Sequence, residues 1–463
     1  MRIAATAAVF GSAVFFALAG GQPPAKDAAP KALSATKLIA DLGSDDYRTR
    51  ENAGKGLSQL GEKALPEMRK ALETTDDPEV SRRLTVLVRK IDHDRLVAPK
   101  RVTLSMKDKP VKAYLDEITK QTGYSIDYSP NGSSDEAKHA FEFDNAPFWV
   151  AIDHIANATG MMVYADSYDD ASIRMYAQDS LNPHVCYAGP FRFLATQISS
   201  NKNVQLSNLS RRGVNNNARA QDYINLSFQI QSEPKNPILG TLMTEVISAT
   251  DDTGASLVAP KDPNNSRSHY YSNMYRTHNA YANLQLVRVD KNATTIKSLK
   301  AKTSVILLSN TVPEILVNDP LKVKNKKFVG RTAEIDFDNL TEANGQYSLT
   351  LTAKKLGASD DGNPDYNWSN SVTQKMELYD AKGNKFRNNG ANSINNNGSA
   401  VTVTLMFSPD EGGGRRRAFG GPPRPAPAAA AGEKPGAPVK FVFNEWISAT
   451  HEVTFEFKDL PLP

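Results

Sequence analysis

The spacing of apolar residues changes character along the chain. From Ser34 it is helical: Leu38, Ile39 and Leu42 form one stripe, and Tyr47, Ala53, Leu57 and Leu60 a second. Leu65, Met68 and Leu72 form a third, and Val80, Leu84, Leu87, Val88 and Ile91 a fourth. Gly43 and Gly61 stand where helix C-caps are wanted, Asp45 or Asp46 can cap the second helix, and Asp77-Pro78 opens the fourth. Asp46-Tyr-x-x-Arg50 recurs loosely as Asp77-Pro-Glu-Val-x-x-Arg83, which predicts a short helical-repeat module over 34–93.

A stronger repeat follows. Leu104, Met106, Pro110, Leu115, Ile118, Thr122 and Gly123 each reappear 37 residues later, as Phe141, Phe143, Pro147, Ile152, Ile155, Thr159 and Gly160. Asp116 falls on Asp153 in the same way. Each copy reads as an alternating strand, a turn ending in proline, an amphipathic helix and a Thr-Gly stop. A strand leaves each helix, at 124–128 and 161–164, and 172–176 adds a hairpin partner.

The stretch "DDYRTRENAGKGLSQLGEKALPEMRKALETTDDPEVSRRL" resembles HEAT-type helical repeats. The lines "VTLSMKDKPVKAYLDEITKQTGYSIDY" and "FEFDNAPFWVAIDHIANATGMMVYA" make residues 99–178 similar to the short N-terminal domain of secretins and TonB-dependent receptors. In that family the domain is a periplasmic protein-docking module, and the resemblance implies the same here. Neither an outer-membrane barrel nor a secretin pore sequence follows it.

From about Pro183 the helical period gives way to short alternating strands separated by turn residues, which argues for antiparallel sandwiches. One helical segment is predicted among them, at Leu239–Val246. Two turns match, Asp251-Asp252-Thr253-Gly254 and Asp380-Ala381-Lys382-Gly383, and they imply two related modules, 179–318 and 319–463. The expected fold class is therefore multi-domain α+β: a short helical-repeat module, a duplicated β-α-β domain and two antiparallel β-sandwich modules.

Composition adds location. Arg2, the apolar run Ile3 to Leu18 and Ala17-Leu18-Ala19 predict a signal peptide over 1–19, followed by a linker over 20–33. Left uncut, that segment would be the chain's one tie to a membrane. The net charge is +4, from 55 Lys and Arg against 51 Asp and Glu. The Gly-, Pro- and Ala-rich insertion 411–438 alone carries Arg415, Arg416, Arg417, Arg424 and Lys434 against Glu411 and Glu433. Outside it and Arg2 the chain is neutral, so no long-range field attracts nucleic acid. A single cysteine, Cys186, excludes an internal disulfide framework, a cysteine zinc cluster and a CxxC redox pair.

The sequence carries few residues arranged for chemistry. The seven histidines show no compact ligand spacing, and no GxSxG, phosphate loop or dinucleotide fingerprint occurs. His184 and Cys186 share a strand face, but their apolar neighbours favour a packed thiol. Asp361-x-Asn363-x-Asp365-x-Asn367 has the oxygen spacing of a calcium loop without its glycine or its terminal acid, and reads as a polar hairpin tip. Phe148 and Trp149, together with Tyr270, Tyr271 and Tyr275 of an Asn- and Ser-rich loop, are the candidate partner or glycan contacts. No catalytic residue, cofactor or metal is expected. The function implied is protein–protein interaction or scaffolding in the bacterial envelope, with the protein periplasmic or secreted. The alternatives are a glycan- or surface-binding protein and an enzyme of unknown class.

Overall fold

A computed structural model describes residues 34–130, 137–165, 172–177, 183–204, 220–259, 275–288, 290–357, 365–409 and 436–463. The leader and linker, Tyr270, Tyr271, Asp361, Asn363 and nearly all of the basic insertion lie outside these residues. The chain divides into two compact units, which meet in sequence between Ile91 and Asp92.

The first unit contains α1 (Ala35–Asp41), α2 (Tyr47–Leu60), α3 (Leu65–Thr74) and the greater part of α4 (Pro78–Val97). The Asp46 carboxylate caps α2 by accepting from Thr49 N at 2.8 Å, and Asp77 caps α4 by accepting from Glu79 N at 2.8 Å. Leu38, Leu57, Met68 and Leu84 meet in one core. Arg83 donates to Glu79 and Glu51, tying α4 to α2. The expected helical-repeat module is corrected here. The helices have 7, 14, 10 and 20 residues, so no helix pair recurs, and all share a single core rather than stacking copies. Across the described residues strand outweighs helix by about two to one.

The second unit opens with β1 (Arg101–Pro110), α5 (Val111–Thr122), β2 (Ser125–Ser129), β3 (Lys138–Pro147), α6 (Phe148–Thr159), β4 (Met161–Ala165) and β5 (Ser172–Ala177). The 37-residue offset runs through it: β3 and α6 begin 37 residues after β1 and α5. Both helices end on a left-handed glycine, Gly123 (φ 77°) and Gly160 (φ 65°), as a C-terminal cap requires. Asp108 and Asn145, also 37 apart, share a second left-handed position. β1 and β3 pair antiparallel, while β5 lies between β2, parallel to it, and β4, antiparallel to it. Tyr114, Ile152, Phe148 and Trp149 fill the core.

The rest comprises two β-layered bodies. The first holds β6 (Val185–Ala188), β7 (Phe191–Val204), β8 (Ala220–Ser232), β9 (Ile238–Thr241), β10 (Glu245–Asp251), β11 (Asn279–Val287) and β12 (Thr295–Asn318). The second holds β13 (Lys326–Val329), β14 (Ala333–Ala343), β15 (Gln346–Lys355), α7 (Tyr366–Ser371), β16 (Met376–Asp380), β17 (Arg387–Asn396), β18 (Ala400–Ser408) and β19 (Pro438–Pro461). The expected helix at Leu239–Val246 is instead β9 and the start of β10, because the segment pairs with the central strand β12 through Gly240, Thr241, Glu245 and Val246.

In the first body, sheet β11-β8-β7-β6 faces β10 and the outer halves of β12 and β19. Phe193 of β7 stacks on Phe455 of β19 across the core at 4.3 Å between ring centroids. In the second body, sheet β13-β14-β15-β18-β17 faces β16 and the inner halves of the same two strands. Phe337 of β14 meets Phe441 of β19 edge-on at 5.6 Å. β12 and β19 pair antiparallel from Thr295↔Pro461 to Asn318↔Lys440, with a register shift after Leu308. Each strand closes one body and then enters the other, and β12 makes that passage between Leu307, in the first core, and Ile315, in the second.

The two turns singled out in the sequence are geometric copies. Asp251 Oδ1 accepts from Thr253 N and Ala255 N at 3.0 and 2.9 Å, and Asp380 Oδ1 accepts from Lys382 N and Asn384 N at 2.9 and 2.8 Å. Gly254 (φ 88°) and Gly383 (φ 84°) take the left-handed position each turn needs.

Candidate functional site

The face of sheet β11-β8-β7-β6 that points away from its own core carries a row of buried polar side chains. Residues alternate across a strand, so one cross-strand row places Tyr187, Arg192, Gln231 and Asn279 side by side on β6, β7, β8 and β11. α6 and β4 cover this row. Asp153 of α6 accepts from Arg192 Nε and from the Tyr187 hydroxyl, both at 2.7 Å. Arg192 donates onward to Gln231 Oε1 at 2.7 Å, Gln231 to Gln229 at 3.2 Å, and Gln229 to Asn279 at 3.2 Å. Asn279 donates to the Ala165 carbonyl of β4 at 2.6 Å. The Arg192 guanidinium lies 5.7 Å from the centroid of the Trp149 ring.

Arg192 and Asp153 are 7% and 4% exposed, so both charges are out of water. Such a pair is tolerable only with its remaining hydrogen-bonding capacity met, which Tyr187, Gln231 and the Val163 carbonyl supply. Burial, with the Asp153 carboxylate alongside, pushes the Tyr187 phenol above its usual range and keeps it a donor.

A second contact lies beside this row. Glu233, fully buried just after β8, accepts from Lys100 N at 3.1 Å on each oxygen and from the Tyr124 hydroxyl at 2.8 Å. The Pro190 carbonyl accepts from Glu233 N and from Trp149 Nε1, at 3.0 and 3.1 Å. Burial raises the Glu233 carboxyl to about 7, even though every one of these donors favours its anion. Together the two contacts form a polar seam that fixes the paired β-α-β elements against the sheet.

Beyond the seam the described residues of the face are uncharged and partly or fully exposed. Its next rows are Gln197–Ser227–Asn283 and Ser199–Asn225–Gln285, each running from β7 through β8 to β11. Tyr281, 63% exposed, sits between the seam and these rows, and its hydroxyl accepts from Gln229 Nε2 at 3.4 Å.

The residues singled out in the sequence fare differently. Phe148 and Trp149 are 0% and 1% exposed, so they offer a partner no surface. The repeat pattern explains it, since both stand in the first turn of α6 and face the sheet core. Tyr275 is exposed, and Tyr270 and Tyr271 lie outside the described residues. Burial pushes the Cys186 thiol up to about 12, which keeps it protonated. Asp365 caps α7 by accepting from Trp368 N and pairs with Lys355, so its oxygens already have partners. Among the described residues no group of three His, Cys, Asp or Glu side chains could hold a metal ion, and no helix is long and apolar enough to cross a membrane.

Arg192, Gln231 and Glu233 were not singled out in the sequence. The usable signal was Phe-Arg-Phe-Leu-Ala at 191–195, a charge inside a run too apolar for one solvated face.

No family model matches the sequence, and no curated protein matches it. Among solved structures, a similar chain comes from the Salmonella SPI-1 type III secretion injectisome basal body proteins InvG, PrgH and PrgK. It is 9% identical, with 74% of this chain and 92% of that chain covered, and the TM-score is 0.14. A score that low carries no argument about fold or function.

Proposed function

We propose that this chain is an exported, non-enzymatic docking protein of the bacterial envelope, in which the β-α-β pair is presented on a β-layered support. The buried Asp153–Arg192 seam carries this reading. A buried ion pair contributes little net stability, and its best-attested use is to fix one arrangement out of several. Here it spends two charges and a chain of amides on the attitude of one module toward another. A docking surface benefits from that, because a module held in place loses less freedom when a partner binds. The resemblance of the β-α-β pair to a periplasmic docking domain points the same way, and so does the predicted signal peptide.

Photo-crosslinking in the native host tests the reading. A crosslinking residue placed at Lys112, Asp116 or Lys120, exposed on α5, is expected to yield a discrete adduct with an envelope protein. Adducts absent from all three positions and from a matching scan of β1 and β3 would contradict it.

A further inference from the structure

We propose that the open outer face of sheet β11-β8-β7-β6 binds a linear, uncharged polysaccharide chain. This goes beyond the docking reading and does not depend on it.

The rows Gln197–Ser227–Asn283 and Ser199–Asn225–Gln285 present six neighbouring amide and hydroxyl side chains with no charge among them. Amides and hydroxyls both donate and accept, which is the bonding repertoire of sugar hydroxyls. Among the described residues of these rows a polyanion would find no cation, and an apolar protein surface would find no aliphatic patch to bury. Same-face residues recur about every 7 Å along a strand and strands lie about 4.8 Å apart, so the two rows make a grid on the scale of a few sugar rings.

Tyr281 is the most exposed aromatic of this sheet, yet its hydroxyl is tied to Gln229. Gln229 is held by Gln231, Gln231 by Arg192, and Arg192 by Asp153. The buried seam therefore ends in a hydrogen bond to the hydroxyl of an exposed ring at the head of the polar rows. A held aromatic is a stacking platform for the apolar face of a sugar and pays little entropy on binding.

The corresponding outer face of the second body carries Lys354 against Asp336 and Glu334, at 2.8 and 3.5 Å, and Lys327 against Glu334 at 2.8 Å. Neutrality is thus specific to the first face and is not dictated by the architecture.

Affinity electrophoresis of the full-length mature protein tests the proposal, through native gels containing soluble cellulose derivative without charge, mixed-linkage β-glucan, galactomannan, dextran or starch. Retardation in at least one gel is expected, and it should persist when salt is raised to 0.5 M. Tyr281→Ala should weaken it about tenfold, the scale of one aromatic contact. Ser227→Glu should abolish it, while Thr402→Glu on the second body should leave it unchanged, with far-UV circular dichroism confirming that each variant is folded. Three outcomes would overturn the proposal: no retardation by any of the five polysaccharides, retardation lost in salt, or retardation unaffected by Tyr281→Ala and Ser227→Glu together.

Discussion

The two β-layered bodies share a strand plan, an Asp-Gly turn and a pair of exchanged strands, yet their outer faces are built from different chemistry. On the first, polar groups are buried beneath α6 and β4 or left neutral at the surface. On the second, ion pairs and the threonine pairs Thr350–Thr404 and Thr352–Thr402 face water. Core chemistry is similar in both, with phenylalanines meeting across the layers. Fold and purpose therefore separate cleanly. The inward positions specify the layers, and the outward positions are free to specialise.

The comparison breaks most sharply at its charges. Arg192→Met should destabilise the second unit by roughly 3–5 kcal/mol in urea denaturation, because it strands Asp153 without its cation. A loss as small as that of an exposed pair would remove the distinction between the faces.

Glu233 gives a pH signature. Its folded-state pKa is raised to about 7 against an ordinary value near 4.5. The unfolded chain therefore releases its proton first, and stability falls as pH rises between those two values. The accumulated loss is up to about 3 kcal/mol above pH 7, with full stability below about pH 4.5. Glu233→Gln should flatten this slope in denaturation curves from pH 5 to 8; an unchanged slope would show that another group produces it.

The shared plan can be tested at the turns. Asp251→Ala and Asp380→Ala each remove a carboxylate that accepts at least two backbone donors. Calorimetry should show melting midpoints lowered by a few degrees and by similar amounts. A large loss in one and none in the other would mean that the resemblance is only geometric. The smallest effect belongs to Lys354→Met, whose exposed pairs should leave the urea midpoint almost where it is.

How much of this was legible in the sequence depends on how local each cause is. The 37-residue repeat was readable because Pro110, Thr122, Gly123 and their counterparts act within one turn of chain. Asp251-x-x-Gly254 and Asp380-x-x-Gly383 were readable for the same reason. The continuity of β12 and β19 was hidden, since the middle of β12, near Ser309–Glu314, leaves the cores and turns polar. That polar stretch, with Pro313 in it, imitates a break between short strands. The seam was illegible because Asp153, Arg192, Gln231 and Asn279 come from four distant segments: strand register aligns the last three, and the packing of α6 brings Asp153 onto them. The helical opening misled in the opposite way. Apolar stripes predict helices well, but they say nothing about whether successive helix pairs superimpose.

The central claim is that the buried seam holds the β-α-β pair in one fixed attitude on the first body. Electron–electron distance measurement tests it most directly, with spin labels at Asp116→Cys on α5 and Lys458→Cys on β19 in a Cys186→Ala background. Both labelled positions are exposed, and both lie in the second unit. The account predicts a single narrow distance that broadens in Arg192→Met. A distribution in the otherwise native protein as broad as in the variant would contradict it.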